Sequence, residues 1–291
     1  MAAQKIMDLT ALWWFWILLL FIFTFLLGIL AVMAGVGGGV LFTPIVGSFF
    51  PFHLDFVRGA GLFIALTASL AASPGLLRRG LASLRLAMPM ALIASTSSIA
   101  GALVGLVIPT NIVQVLLGLA IIFIFFVMLR AKRAEFPLVE KPDKLSQVLK
   151  ISGLYYEESS NELVEWKVHR TWQAMVLFVL VGFTAGMFGL GAGWANVPVF
   201  NLVMGTPLKI AAGSSMFVIS VADTAAAFVY LTSGSVLALI TIPSVLGIML
   251  GSFIGVRLLA KVNPRVVRLI VLAVLLFAGV RSLLKGLGIW V

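Results

Sequence analysis

The chain has 291 residues, 62% of them hydrophobic and 10% charged, with a formal net charge of +10. That composition excludes a soluble globular domain, because too little polar surface is available to cover one. Cysteine is absent, which excludes disulfides and thiolate or cysteine-metal chemistry. The 20 basic residues sit mostly in short loops outside any aromatic-basic module, so they read as membrane-orientation signals and not as nucleic-acid contacts.

In chain order, an apolar run over 12–34 begins with Trp13, Trp14 and Trp16, lacks a basic n-region and a cleavage context, and reads as an uncleaved span with an interfacial aromatic belt. A glycine turn follows, then a short apolar segment near 40–52 that contains Pro44, then spans near 57–77, 86–108 and 112–130. Apolar runs of this kind are long enough to cross a hydrocarbon core of about 30 Å as helices. Residues Arg130–Arg170 are polar and mixed in charge, with Tyr155, Tyr156, Glu157 and Glu158 in their middle, and read as a linker outside the bilayer. The second half runs through 173–188, a second glycine turn, a short segment near 194–206, and spans near 210–231, 237–260 and 266–284. The expected division is a first membrane repeat over 1–131, a cytoplasmic linker over 132–171 and a second membrane repeat over 172–291.

The two halves match without a gap at an offset of 154 residues. Gly28, Gly35, Gly37 and Gly39 fall on Gly182, Gly189, Gly191 and Gly193, and Pro44 on Pro198. Gly59, Gly80, Pro89 and Gly101 fall on Gly213, Gly234, Pro243 and Gly255. Glycine and proline fix backbone shape, so the pattern predicts a shared chain path. The basic residues predict that the second half is inverted. The loop around 78–85 holds Arg78, Arg79 and Arg85, whereas its equivalent at 232–239 holds no Lys or Arg. Conversely 107–114 has none, and 261–268 has Lys261, Arg265 and Arg268. Parallel halves need no such swap; inverted halves require it. Five segments per half place 16 basic residues on one side against Lys5, Arg58, Arg281 and Lys285 on the other. The fold expected is an all-α polytopic membrane protein of two inverted repeats, each with a glycine-broken or re-entrant helix, in eight to ten membrane segments. Both termini are expected outside and the linker in the cytoplasm.

The turns Gly35-Val36-Gly37-Gly38-Gly39 and Gly189-Leu190-Gly191-Ala192-Gly193 each end a long apolar helix. A helix broken at membrane depth leaves backbone N–H groups that lipid cannot satisfy, so the break must face protein, water or a ligand. Clustered N–H groups at a helix start attract anions, and duplicated broken segments point to a substrate site between the repeats. The candidate substrate-binding residues are therefore Gly37, Gly38, Gly39, Gly191, Ala192 and Gly193, with Thr43, Trp194, Asn196, Ser214 and Ser215 beside them. Asp223, an acid deep within a span where half one has Ser69, is the candidate for proton coupling. Arg58 and Arg257, near span ends, are expected to snorkel, and His53 and Asp55 to lie in a surface loop. No metal site, cofactor or catalytic cluster is indicated.

The paired turns Gly-Val-Gly-Gly-Gly-Val-Leu-Phe-Thr-Pro (35–44) and Gly-Leu-Gly-Ala-Gly-Trp-Ala-Asn-Val-Pro (189–198), with Gly59-Ala-Gly, Gly213-Ser-Ser and the polar linker, resemble those of the TauE/SafE family of sulfite and sulfonate exporters, also called the four-toluene sulfonate uptake permease family. Ala192, where half one has Gly38, departs from equivalence of the two turns. The resemblance implies movement of sulfite, sulfoacetate or another organosulfonate across a bacterial plasma (inner) membrane. The residues themselves point to a small anion carried by a secondary transporter, with an anion channel or a permease for another small organic anion as the alternative. Association into a homodimer is expected only by analogy with other transporter folds.

Overall fold

The computed structural model describes residues 2–34, 37–50, 52–78, 80–130, 139, 141–157, 162–258 and 264–289. Gly35, Val36, Arg79 and Lys261 lie outside them, as does much of the chain between Arg130 and Lys141. The first half consists of α1 (Ala2–Ala34), α2 (Gly38–Phe49), α3 (Leu54–Arg78), α4 (Leu84–Val107) and α5 (Thr110–Arg130). A short α6 (Lys144–Val148) and an antiparallel hairpin of β1 (Ser152–Glu157) and β2 (Glu162–Lys167) follow. The second half consists of α7 (Thr171–Phe188), α8 (Gly193–Pro198) running into a π-helical turn over Val199–Val203, α9 (Leu208–Thr232), α10 (Ala238–Leu258) and α11 (Pro264–Gly286).

Among the described residues, α1, α3, α4, α5, α7 and α9 are long and apolar enough to cross a membrane, and the apolar stretches of α2 and α10 are shorter. The protein is a multi-pass helical membrane protein. The hairpin is the departure from an all-helical chain, and it lies in the polar linker. Its alternation is that of a half-buried strand pair: Tyr155 and Trp166 face inward, while Leu154, Tyr156 and Leu163 are exposed.

Lipid supplies no hydrophobic drive between helices, so close approach through small residues holds such a body together. Here those approaches come in pairs 154 residues apart. A Cβ on Gly28 of α1 would meet the Ile248 carbonyl of α10, and one on Gly182 of α7 would meet the Ala94 carbonyl of α4. A Cβ on Gly59 of α3 would strike the Ser235 carbonyl, and one on Gly213 of α9 the Leu81 carbonyl. Helices α3 and α9 end alike. The amides of Gly80 and Leu81 donate to the Leu77 and Leu76 carbonyls (3.1 and 3.0 Å), and those of Gly234 and Ser235 to the Leu231 and Tyr230 carbonyls (3.2 and 2.9 Å). This is the Schellman closure, and both glycines hold the left-handed φ it requires, +69° and +72°.

Side-to-side contacts assign the helix ends to two faces. The rings of Phe50 and Phe52, just after α2, lie 5.6 and 5.7 Å from Trp16, at the start of the apolar stretch of α1 (Trp14–Ala31). His53 lies 3.5 Å from Thr110 at the start of α5. The end of α11 meets α5's start, where a Cβ on Gly286 would lie 2.6 Å from the Val115 amide. The start of α1, the end of α2 and the end of α11 therefore share one face, the termini face. On the opposite face, the Ser83 amide between α3 and α4 donates to Ser214 Oγ near the start of α9. There Ile151, Tyr155, Trp166 and Val168 of the linker pack in one core with Leu86, Phe200 and Met204. This is the linker face. Helix α2 thus runs back towards the face where α1 starts, so successive helices from α1 to α5 alternate in direction.

Candidate functional site

The described end of the first glycine turn, Gly37–Gly39, meets the second turn beside α3. Gly37 caps the start of α2 at φ +80°, and Gly191 stands in the second turn at φ +71°, a conformation a side chain would strain. A Cβ on Gly39 would lie 2.6 Å from the Leu190 carbonyl and 2.8 Å from that of Gly61, so α2, α3 and the second turn touch backbone to backbone. Gly38 is packed against the side chains of Ile64 and Ile248, whose ends lie 2.9 and 2.8 Å from where a Cβ would be. Gly193 and Ala192 are buried at the start of α8. The first N–H groups of α2 have no partner within their own helix, which leaves a patch of donors at this depth.

Five polar residues expected near the turns divide into two groups. Thr43 and Ser214 hold elements together: the Thr43 hydroxyl donates to the Gly189 carbonyl (2.7 Å), and Ser214 Oγ accepts from the Ser83 amide (3.0 Å). By contrast Asn196 and Ser215 are buried with no side-chain hydrogen bond among the described residues, and the indole N–H of half-buried Trp194 is likewise unpartnered. Asp223 is fully buried against the second turn, where a Cβ on Gly191 would stand 2.9 Å from its Oδ2. The Ala192 amide faces that carboxylate, yet neither oxygen completes a hydrogen bond among the described residues. Its half-one counterpart Ser69 instead donates back to the Leu66 carbonyl at 2.8 Å, an ordinary intrahelical bond. Buried polar groups are nearly always partnered, so the free ones here call for partners that the described residues do not supply.

Arg58 does not snorkel. Its side chain is 1% exposed, and Nη1 donates to the Gly105 carbonyl (3.0 Å) and the Met187 carbonyl (2.9 Å). Nη2 pairs with Asp55, and the guanidinium stands 5.6 Å from the centre of the Tyr230 ring. The Tyr230 hydroxyl donates to the Gly186 and Met187 carbonyls (3.1 and 3.3 Å). Helices α4 and α7 both end here, and their last carbonyls have no helical partner, so a planar five-donor cation satisfies them better than solvent at this depth could. Asp55 accordingly sits in the first turn of α3, part-buried, and not in a surface loop. Sequence reading missed this clamp because nothing local to Arg58 signals that two helix ends converge on it. The Arg257 side chain lies outside the described residues.

A profile of the sulfite exporter TauE/SafE family matches residues 20–282, from the middle of α1 almost to the end of α11. The chain belongs to the TauE/SafE family. TauE/SafE is a family of membrane transporters and not an enzyme family. A stretch of 132 residues is 26% identical to the probable membrane transporter protein YunE of Bacillus subtilis (strain 168), covering 45% of this chain and 48% of that relative. The match thus spans about half the length of the curated relative. No solved structure matches this TauE/SafE chain.

Proposed function

We propose that the protein is a secondary transporter, an exporter, of a small sulfur oxyanion or organosulfonate such as sulfite or sulfoacetate, and that the anion rests between the two glycine turns. The observation that carries this reading is the meeting of Gly39 with the second turn beside α3, with Asp223 buried against that turn and Asn196 and Ser215 buried and unpartnered on the adjoining α8 and α9. Backbone N–H groups at a helix start, an amide and a hydroxyl suit an oxyanion, which accepts hydrogen bonds and donates few. A carboxylate in the same place would repel an anion unless protonated, which is the relation a proton-coupled carrier needs. In this reading Asp223 exchanges a proton with each cycle.

Two inverted repeats would supply the alternation of access. The paired contacts 154 residues apart, the matched Schellman closures and the alternating traverses support that arrangement, as does the swap of basic loops. By the same charges the linker face is cytoplasmic and the termini face outside; the family resemblance points to a bacterial inner membrane.

The test is uptake of labelled sulfite and sulfoacetate into proteoliposomes, with and without a pH gradient. Saturable, gradient-driven uptake is expected. Gly191→Leu, which forces a side chain onto Asp223 at a left-handed φ, is expected to abolish it, and Asp223→Asn to remove only the gradient-driven part. Linear, unsaturable flux would point to an anion channel instead.

A further inference from the structure

Unpartnered buried polar groups also occur at Ser48 of α2 and at Thr241, Ser244 and Ser252 of α10, but from Asp223 a run of them leads towards the linker face. Between Asp223 and the linker face, α8 with its π-helical turn packs along α9. On that seam Asn196, Ser215 and Thr206 are each at most 1% exposed, and each has a side chain without a hydrogen bond among the described residues. At its outer end the ring of His169, whose Nδ1 is also unpartnered, lies 3.2 Å from where a Cβ on Gly205 would be. Ser215 and Asp223 are eight residues apart on one helix, about 12 Å, so these groups form a line and not one cluster.

The shared chain path does not require polar residues there. The half-one equivalents of Asn196, Ser215, Thr206 and His169 are Phe42, Gly61, Phe52 and Phe15. Phe42 is fully buried in an apolar core. Beyond Asp223, towards the termini face, Tyr230 and Arg58 bond to helix-end carbonyls and close the way. A line of unpartnered polar groups where the equivalent half-one positions carry Phe or Gly, closed beyond Asp223 by Tyr230 and Arg58, has the features of a water path, since backbone or side-chain polarity inside a membrane protein persists where it lines an aqueous cavity.

We propose that an aqueous half-channel runs from the linker face to Asp223 along the α8–α9 seam, entering beside His169 and passing Thr206, Ser215 and Asn196. It supplies water, and through water protons, to Asp223 from one side of the membrane. Its use in transport rests on the coupling role proposed above; its existence does not.

The absence of cysteine makes the test direct. Thr206→Cys, Ser215→Cys, Asn196→Cys and, as control, Phe42→Cys are reconstituted in vesicles of known orientation, without substrate, and a membrane-impermeant methanethiosulfonate is added to one face at a time. Thiols on the path are expected to react from the linker face about tenfold faster than the Phe42→Cys thiol, and hardly at all from the termini face. Rates equal to the control, or equal from both faces, would overturn the half-channel. Hydroxyl-radical footprinting of the unaltered chain gives an answer even where a cysteine variant fails to fold. Trp194 is expected to oxidise while buried Met90 does not, and protection of both would count against the path. Because neither readout uses an anion, labelling is independent of whether sulfite or sulfoacetate is carried.

Discussion

Arg58, Arg281 and Lys285 are three of the four basic residues that the charge pattern assigns to the termini face, and each has a reason to be there. Arg58 serves the ends of α4 and α7, while at the end of α2 Arg281 Nε donates to the Ser48 carbonyl and Lys285 Nζ to the Gly47 carbonyl, both at 3.0 Å. Cations at helix C-termini complement the dipole and the orphan carbonyls together. Arg58→Met is therefore expected to lower stability by about 3 kcal/mol, since it strands a part-buried Asp55 and two carbonyls at once. Thermal unfolding in detergent measures this. Arg58→Lys should recover little, because one ammonium cannot reproduce the planar fork. Tyr230→Phe removes a single hydroxyl from the same carbonyls and should cost about 1 kcal/mol. A variant series with no change in melting temperature would mean that water already satisfies these helix ends.

At the scale of the element, the two Schellman closures make a matched pair. Gly80 and Gly234 hold nearly the same positive φ, and a Cβ at either would meet nothing within 4 Å. The cost of Gly80→Ala and of Gly234→Ala is thus backbone strain alone, about 1 kcal/mol each and equal within error, read again from thermal unfolding. Elsewhere the glycines are limited by space. Gly182, Gly186 and Gly101 bring α7 and α4 into backbone contact, and Gly28 does so for α1 and α10. Gly101→Leu should separate α4 from α7 and lose folded protein outright, a result visible by size-exclusion chromatography. These helix boundaries were legible in sequence: expected spans of 57–77, 86–108 and 210–231 compare with Leu54–Arg78, Leu84–Val107 and Leu208–Thr232. Apolar runs bounded by glycine, proline and arginine leave few alternatives in a bilayer. The β1–β2 hairpin was not legible, since its alternation spans only six residues a strand inside a charged linker.

For the molecule as a whole, the contacts that define two faces make a prediction about sidedness. The linker, with α6 and the hairpin, belongs to one face, and the start of α1 and the end of α11 to the other. Protease added to the outside of sealed cells should remove tags at both termini and leave the linker intact, and inverted vesicles should reverse the pattern. Cleavage of one terminus only would require an odd number of traverses overall and would dismantle the inverted arrangement.

Composition, apolar run lengths and the 154-residue offset by themselves determined that this is a multi-pass helical membrane protein, because lipid forces every backbone polar group into a helix and leaves helix ends to glycine and proline. They also singled out the two turns, Asn196, Ser215 and Asp223. What they left open, and only tertiary structure decided, was which polar groups are already spent. Thr43 and Ser214 look as available in sequence as Asn196 and Ser215, yet the first two bind backbone across the halves and the second two bind nothing among the described residues. Arg58 looks like a surface cation and is a buried one. A hydrogen-bond partner 129 residues away is set by how helices pack, and no local pattern around a residue encodes it.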